Sequence, residues 1–425
     1  MTAPAKELPT HGKTSRRGFH ALENQSELPA GWRWVRLGEV CAINPSRPAA
    51  LSRADSEPTS FVPMDAVDAV SGSISRPLLR PFGEIKKGYT CFVEGDVLFA
   101  KITPCMQNGK HAIARGLTDG IGFGTTEFHV LRPAESVLSE WVHFFVRQPE
   151  FLNKATEQFT GAVGQQRLPP GYLETHPIPL PPLAEQKRIA ARLREQMAAA
   201  EKARAATQAR LEAAHTLPAA CLRSVFDGPE AAQWPLRPLG EVLVPHKEII
   251  HPGDRQSGTA TFVGLEHIES DTGRRIGEVS VDLAHLTGRK PTFRRGQIVY
   301  GYLRPYLNKV WIAEFDGVSS VDQFAYEVRS DLADVRFVAW FMRSPTYMRR
   351  SQVLTTTGQL PRIGTGEIAA VEIGLPSLDV QRAVVDEIDR RFAAHQRIST
   401  LLSDEAEAIE RMPSALLRQA FSGEQ

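Results

Sequence analysis

A stretch that opens a helix occurs twice in this 425-residue chain, 195 residues apart. Ile178-Pro-Leu-Pro-Pro-Leu-Ala-Glu-Gln-Lys-Arg-Ile189 returns as Ile373-Gly-Leu-Pro-Ser-Leu-Asp-Val-Gln-Arg-Ala-Val384. Leu180, Pro181, Leu183 and Gln186 are thereby matched by Leu375, Pro376, Leu378 and Gln381. In both copies a short apolar run meets proline and a long helical pattern follows. Proline suits a first helical turn, where its missing N–H would have no partner anyway. One half of the chain repeats the other, so whatever this sequence folds into, it folds into twice.

Other echoes keep the same order. Leu37-Gly-Glu-Val40 recurs as Leu239-Gly-Glu-Val242, and Phe61-Val62 as Phe262-Val263. Gly95-Asp-Val-Leu-Phe-Ala-Lys-Ile-Thr-Pro104 recurs as Gly296-Gln-Ile-Val-Tyr-Gly-Tyr-Leu-Arg-Pro305, apolar runs between glycine and proline that predict short strands. Further strands are expected at Glu127 to Leu131 and Phe324 to Val328, then aromatic-faced helices at Trp141 to Pro149 and Phe337 to Pro345. A loop rich in Gly, Gln and Thr ends each half-domain, with Arg167 and Arg362 in register.

Long helices are expected from about Leu183 to Leu217 and from about Leu378 to Met412. The second carries a seam at Val385, Ile388, Phe392, His395, Ser399, Leu402, Ala406 and Ile409; the first places Ala190, Leu193, Met197, Ala200, Arg204, Thr207, Leu211 and Ala214 at the same offsets. Alternating steps of three and four predict two helices packed as an antiparallel coiled coil. After each comes a tail sharing Pro218/Pro413, Leu222/Leu417, Arg223/Arg418 and Phe226/Phe421, which suggests two like surfaces for two copies of one partner. The expected fold is α+β: a disordered extension over 1–27, mixed α/β domains over 28–182 and 233–377, and helical spacers with tails over 183–232 and 378–425.

Forty-two per cent hydrophobic and 23% charged residues suit globular domains. No apolar run nears the roughly 20 residues of a membrane span, and the basic N-terminus lacks the apolar core of a secretory signal. Cys41, Cys91, Cys105 and Cys221 have no echoes in the second half, which argues against a disulfide or zinc framework built into the repeat and for a reducing, cytoplasmic setting. No phosphate-binding loop or His-Glu-x-x-His is present. Gly120, Gly122 and Gly124 read as a turn rather than a cofactor loop, and Glu185 as a helix-start charge. No catalytic residue, metal or cofactor is expected.

A net charge of +1 gives no global attraction to nucleic acid, so any such contact must come from local patches. Two exist. No acid occurs from Leu283 to Ala313, where Arg289, Lys290, Arg294, Arg295, Arg304 and Lys309 are interleaved with Tyr302, Tyr306 and Asn308. None occurs from Val97 to Thr118 either, a stretch with Lys101, Asn108 and Lys110, preceded by Arg76, Lys86 and Lys87. Together with Gln165, Gln166 and Arg167 in one loop and Gln359 and Arg362 in the other, these are the candidate DNA-binding residues. Cationic, amide and aromatic side chains are the types that contact phosphates and base edges.

The opening Leu28-Pro-Ala-Gly-Trp32, the paired Leu-Gly-Glu-Val segments, the Gly95 to Pro104 strand-turn and above all Pro179-Leu-Pro-Pro-Leu-Ala-Glu-Gln186 before a long helix give a layout that resembles the specificity subunit of type I restriction–modification systems. The second copy departs from the motif, with Ser377 for a proline and Val380 for the glutamate. The resemblance implies two target-recognition domains, each reading half of a split DNA sequence, with paired helices setting their spacing. It also implies two modification subunits that supply the methylation chemistry, and restriction subunits that add translocation and cleavage. A non-DNA-reading scaffold with duplicated protein-binding domains is the other reading these patterns allow.

Overall fold

The computed structural model describes residues 28–422 apart from 50, 51, 76, 163, 164, 255, 256 and 357. The 1–27 extension and Arg76 lie outside the described residues. The chain forms two units, Met1–Ala205 with Glu407–Gln425, and Ala206–Ala406. Among the described residues no helix is long and apolar enough to cross a membrane.

In the first unit one sheet runs in the order Cys41–Ile43, Phe128–Pro133, Val97–Ala100, His111–Ile113, antiparallel throughout. Val97–Ala100 is buried at every position, as its apolar run requires. A second sheet has the order Leu78–Pro81, Pro58–Val62, Ile121–Gly124, Thr90–Val93, with Pro58–Val62 and Ile121–Gly124 parallel. The glycine cluster expected as a turn therefore lies partly in a strand: a Cβ on Gly122 would sit 2.5 Å from the Phe92 ring. A ribbon pairs Arg33–Arg36 with Pro177–Leu180, tying the start of the unit to the strand that enters the long helix.

The second unit is built the same way. Its first sheet runs Leu243–His246, Gln323–Val328, Ile298–Gly301, Val310–Ile312. The other adds one short strand: Ile249–Ile250, Lys290–Phe293, Gly317–Ser319, Thr259–Val263, Val279–Asp282. The pair Thr259–Val263 and Gly317–Ser319 is again parallel, and the ribbon again joins the first strand, Leu236–Pro238, to the last, Glu372–Gly374.

The repeated glutamine explains why the helix-opening motif recurs. Gln186 is fully buried; its Oε1 accepts from Leu138 N (2.9 Å), and its Nε2 donates to Ser136 O (3.1 Å) and Pro181 O (2.9 Å). Gln381 does the same with Asp334 N (2.8 Å), Leu332 O (3.1 Å) and Pro376 O (2.8 Å). One amide thus satisfies three buried backbone groups and fastens the first turn of each long helix to the start of the aromatic helix, Ser139–Val146 or Val335–Arg343.

Two expectations about the long helices need correction. They span Leu183–Phe226 and Leu378–Ser422, with Pro218 and Pro413 inside rather than at their ends. Proline withholds the N–H that the carbonyl four residues earlier would accept; for Ala214 O, His395 Nε2 of the other helix donates instead, at 2.9 Å. The helices are antiparallel: Thr207 and Arg210 bond Glu405, while Ala214 meets His395. The tails, moreover, are not free docking surfaces. Phe421 packs on Trp141 (4.3 Å between centroids) and Leu417 lies in the first unit's core; Phe226 packs between Phe337 and Phe341 (5.5 Å each) with Leu222 in the second's.

Candidate nucleic-acid interface

Segments that are far apart in sequence meet at one ledge in each unit. The loop after Val97–Ala100 joins the Gly/Gln/Arg loop through an isolated bridge, Ile102 with Arg167; Leu303 pairs with Arg362 in the same way. Backbone bonds reinforce both: Thr103 N to Gln166 O (3.1 Å) and Leu168 N to Lys101 O (2.9 Å), then Arg304 N to Pro361 O (2.8 Å) and Ile363 N to Tyr302 O (3.3 Å). Each polar loop is closed on itself, Thr160 with Arg167 and Thr356 with Arg362. Loops held by backbone pairing present their side chains at fixed positions, which recognition of a rigid ligand demands.

The first ledge carries Lys101, Gln165, Gln166 and Arg167, while Asn108 lines a cleft with Gly72, Arg147 and Arg194 instead. Arg167 is fully engaged there: Nε and Nη2 donate to the two carboxylate oxygens of Glu127 at 2.8 Å each, and Nη1 donates to Gln165 O at 3.0 Å. That fork holds the Glu127 carboxyl below its usual range. Partial burial, opposed by Glu127, pulls Lys101 down from the ordinary lysine value. Gln165 and Asn108 are exposed and Gln166 is half-buried.

The second ledge carries Tyr302, Arg304, Tyr306, Gln359 and Arg362. Tyr302 stacks on Phe324 at 4.2 Å, and Tyr306 is 61% exposed. Arg304 and Arg362 are exposed, and neither guanidinium has a hydrogen bond or ion pair among the described residues. Arg304 also holds a left-handed backbone, φ 52°, which an L side chain adopts at a cost of about 1 kcal/mol. The acid matching Glu127 is Asp322, one methylene shorter; the backbone carbonyl of each accepts from the N–H of the residue that leads into the ledge, Lys101 or Tyr302.

Three candidates turn inward instead. Lys110 Nζ donates to Met64 O (3.1 Å) and Val67 O (3.2 Å); Lys309 Nζ donates to Leu265 O (2.6 Å) and Ile268 O (2.7 Å). Asn308 is buried, its Nδ2 donating to Asp271 and to Arg343 O. These residues pin the loops behind the ledge, because free carbonyls there need donors. The remaining candidates lie elsewhere. Arg294 and Arg295 precede Ile298–Gly301 while Arg304 follows it, so the acid-free stretch is divided between opposite ends of one strand. Nor is it acid-free in space: Arg294 reaches Glu248 (3.2 Å) and Arg295 N bonds Asp316 (2.7 Å). Lys290 sits over the Phe262 ring at 4.4 Å, and Lys86 pairs with Asp55 at 2.6 Å. Lys87 and Arg289 are exposed, away from the ledges in sequence and sheet. Sequence reasoning missed Glu127; its one signal was an acid at a strand end flanking two acid-free loops.

No group of three or more His, Cys, Asp or Glu among the described residues is placed to hold a metal. Burial pushes the Cys41 thiol up to about 12 and pulls His143 down to about 3 and His176 to about 4, values suited to neutral core residues.

Residues 29–208, the first domain with its entry into the long helix, match the family model described as the type I restriction modification DNA specificity domain. That stretch is similar to the specificity subunits of type I restriction enzymes. It is 41% identical over 168 residues to the Escherichia coli type I restriction enzyme EcoEI specificity subunit, covering 39% of this chain and 28% of that one. It is 40% identical over 176 residues to the EcoAI subunit, covering 41% and 29%. The matched stretch thus spans less than a third of either relative. Likeness of fold extends much further. The HsdS subunit from Thermoanaerobacter tengcongensis superimposes with a TM-score of 0.68 over 95% of this chain and 99% of its own, at 22% identity. A chain from a study of complex assembly and conformational transition of the type I R-M system gives 0.71 over 94% and 100%, also at 22% identity.

Proposed function

We propose that this chain is the DNA-reading subunit of a type I restriction–modification complex, with each unit reading one half of a split target through its ledge. The observation that carries the reading is the duplicated ledge: two separate loops per unit, bridged by the same backbone pairing, with cationic and amide side chains on both copies. The chain performs no chemistry in this reading. Two modification subunits methylate the target it selects and restriction subunits translocate and cleave, in the cytoplasm where that DNA is. The continuous helices set the unread gap between half-sites.

Methylation mapping in cells that carry this chain with its modification subunits tests the proposal. The expected pattern is one bipartite motif, lost when this chain is deleted. Inserting four residues into either long helix, after Ala205 for example, is expected to lengthen the gap and leave the bases unchanged. Unaltered methylation without the chain would make it a scaffold and refute the reading.

A further inference from the structure

The ledges share a backbone but not their chemistry. In the first, the arginine common to both loops spends all three nitrogen positions on Glu127 and Gln165 O, leaving the exposed amide of Gln165 beside it. In the second, Arg362 has no such fork, and Arg304 stands where the first has Thr103. Arg304 is therefore an additional guanidinium: hydrogen bonds to Pro361 O and from Leu307 N hold its backbone in the left-handed conformation, and its side chain is exposed with no partner among the described residues. Strained positions that the surrounding backbone over-determines cluster at ligand-binding sites, and this one carries a free guanidinium into solvent.

Geometry then separates the two kinds of reading. A guanidinium is a planar donor fork that fits O6 and N7 of guanine, whereas a carboxamide presents a donor and an acceptor that fit N6 and N7 of adenine. We infer that the half-site read by the second unit contains a G·C pair recognised by Arg304 and Arg362, and that Arg167 does not read a base but positions the amide-bearing loop of the first unit. This rests on the proposed DNA-reading function. It adds which base chemistry each half uses, and it makes Glu127 a specificity residue, because that carboxylate, together with Gln165 O, keeps Arg167 from acting as a second guanine reader.

The test uses the full chain co-purified with its modification subunits and a duplex library randomised on both sides of a fixed gap. Wild type is expected to select a bipartite sequence with guanine in one half. Arg304→Ala and Arg362→Ala should each lower the preference for that guanine about 10- to 100-fold, with the other half-site unchanged. Glu127→Gln should leave the guanine half untouched and weaken or alter selection in the other half, with new guanine preference there as Arg167 is released. If wild type selects a bipartite sequence but both arginine variants keep every preference, or lose affinity equally for all sequences as phosphate contacts do, the inference falls and the reading function stands. If wild type selects no sequence, both fall. Thermal melting of each variant, expected within a few degrees of wild type because all three side chains are partly or fully exposed, separates loss of reading from loss of fold.

Discussion

The two units satisfy the same backbone with different side chains. His111 O in the first accepts from His143 Nε2 at 2.9 Å; the equivalent carbonyl, Val310 O, accepts from Arg343 Nε at 3.0 Å. Where His143 takes that place, Arg147 swings out to the carbonyls of Ala69 to Ser71; where the position is Ala339, Arg343 folds in and lies over the Trp340 ring at 4.7 Å. Glu140 pairs with Arg194, and its counterpart Arg336 pairs with Asp386 and Asp389, the same bridge with its polarity reversed. The lesson is that the demand for donors is fixed by the backbone, while the identity of the donor is free to change.

That freedom has a consequence for acid stability. The first unit buries His111, His129 and His143 and half-buries His176, at positions the second fills with Val310, Phe324, Ala339 and Val371. Burial lowers His143 to about 3 and His176 to about 4 from 6.5. Between these values the unfolded chain binds more protons than the folded one, so stability rises with pH there. The contribution is complete above about 6.5 and is lost progressively as pH falls toward 4 and 3. At pH 5 the loss is roughly 2 kcal/mol for each of these two histidines, about 4 kcal/mol together. Hydrogen exchange at pH 7 and pH 5 should show residues 28–182 losing protection and residues 236–375 keeping theirs. Equal loss in both units would break the comparison.

The tails test the likeness rather than the difference. Phe421 and Phe226 occupy equivalent aromatic sites, so Phe421→Ala and Phe226→Ala should each cost about 3 kcal/mol, in the first and second unit respectively. Urea denaturation followed by exchange in each unit assigns the loss. A smaller effect, about 2 kcal/mol, is expected from Gln186→Leu and from Gln381→Leu, which strand the same three backbone groups in each unit. Costs that differ between the two glutamines by more than a factor of two would mean that one motif is held by something besides its amide.

The duplication, the strands and the long helices are legible because each leaves a pattern within a few residues: apolar runs between glycines, proline before a helix, a seam of threes and fours. The ledges are half legible. Both loops of each pair stand out by composition, but nothing local says that Ile102 lies beside Arg167. Lys110 and Lys309 show why site residues fail. Their carbonyl partners lie 41 to 46 positions away, so a lysine in an acid-free run looks the same whether it faces solvent or closes a loop. The helix ends escape for a related reason: proline does end an isolated helix, and only tertiary structure supplies Ala214 O with His395.

That last contact offers the smallest and most specific test. Pro218 has no N–H for Ala214 O, and His395 Nε2 replaces it across the helix pair; in the first unit no such donor lies opposite Pro413 among the described residues, because the position equivalent to His395 is Ala200. His395→Leu keeps most of the volume and removes the donor, so it should cost about 1 kcal/mol in urea denaturation. If the role of His395 is to serve the proline, the same change made on a Pro218→Ala background should cost almost nothing, since the backbone N–H restored at position 218 would take over the carbonyl. Undiminished cost on that background would show that His395 acts by packing or through Ser399, 3.3 Å away, and not as the donor that proline withholds.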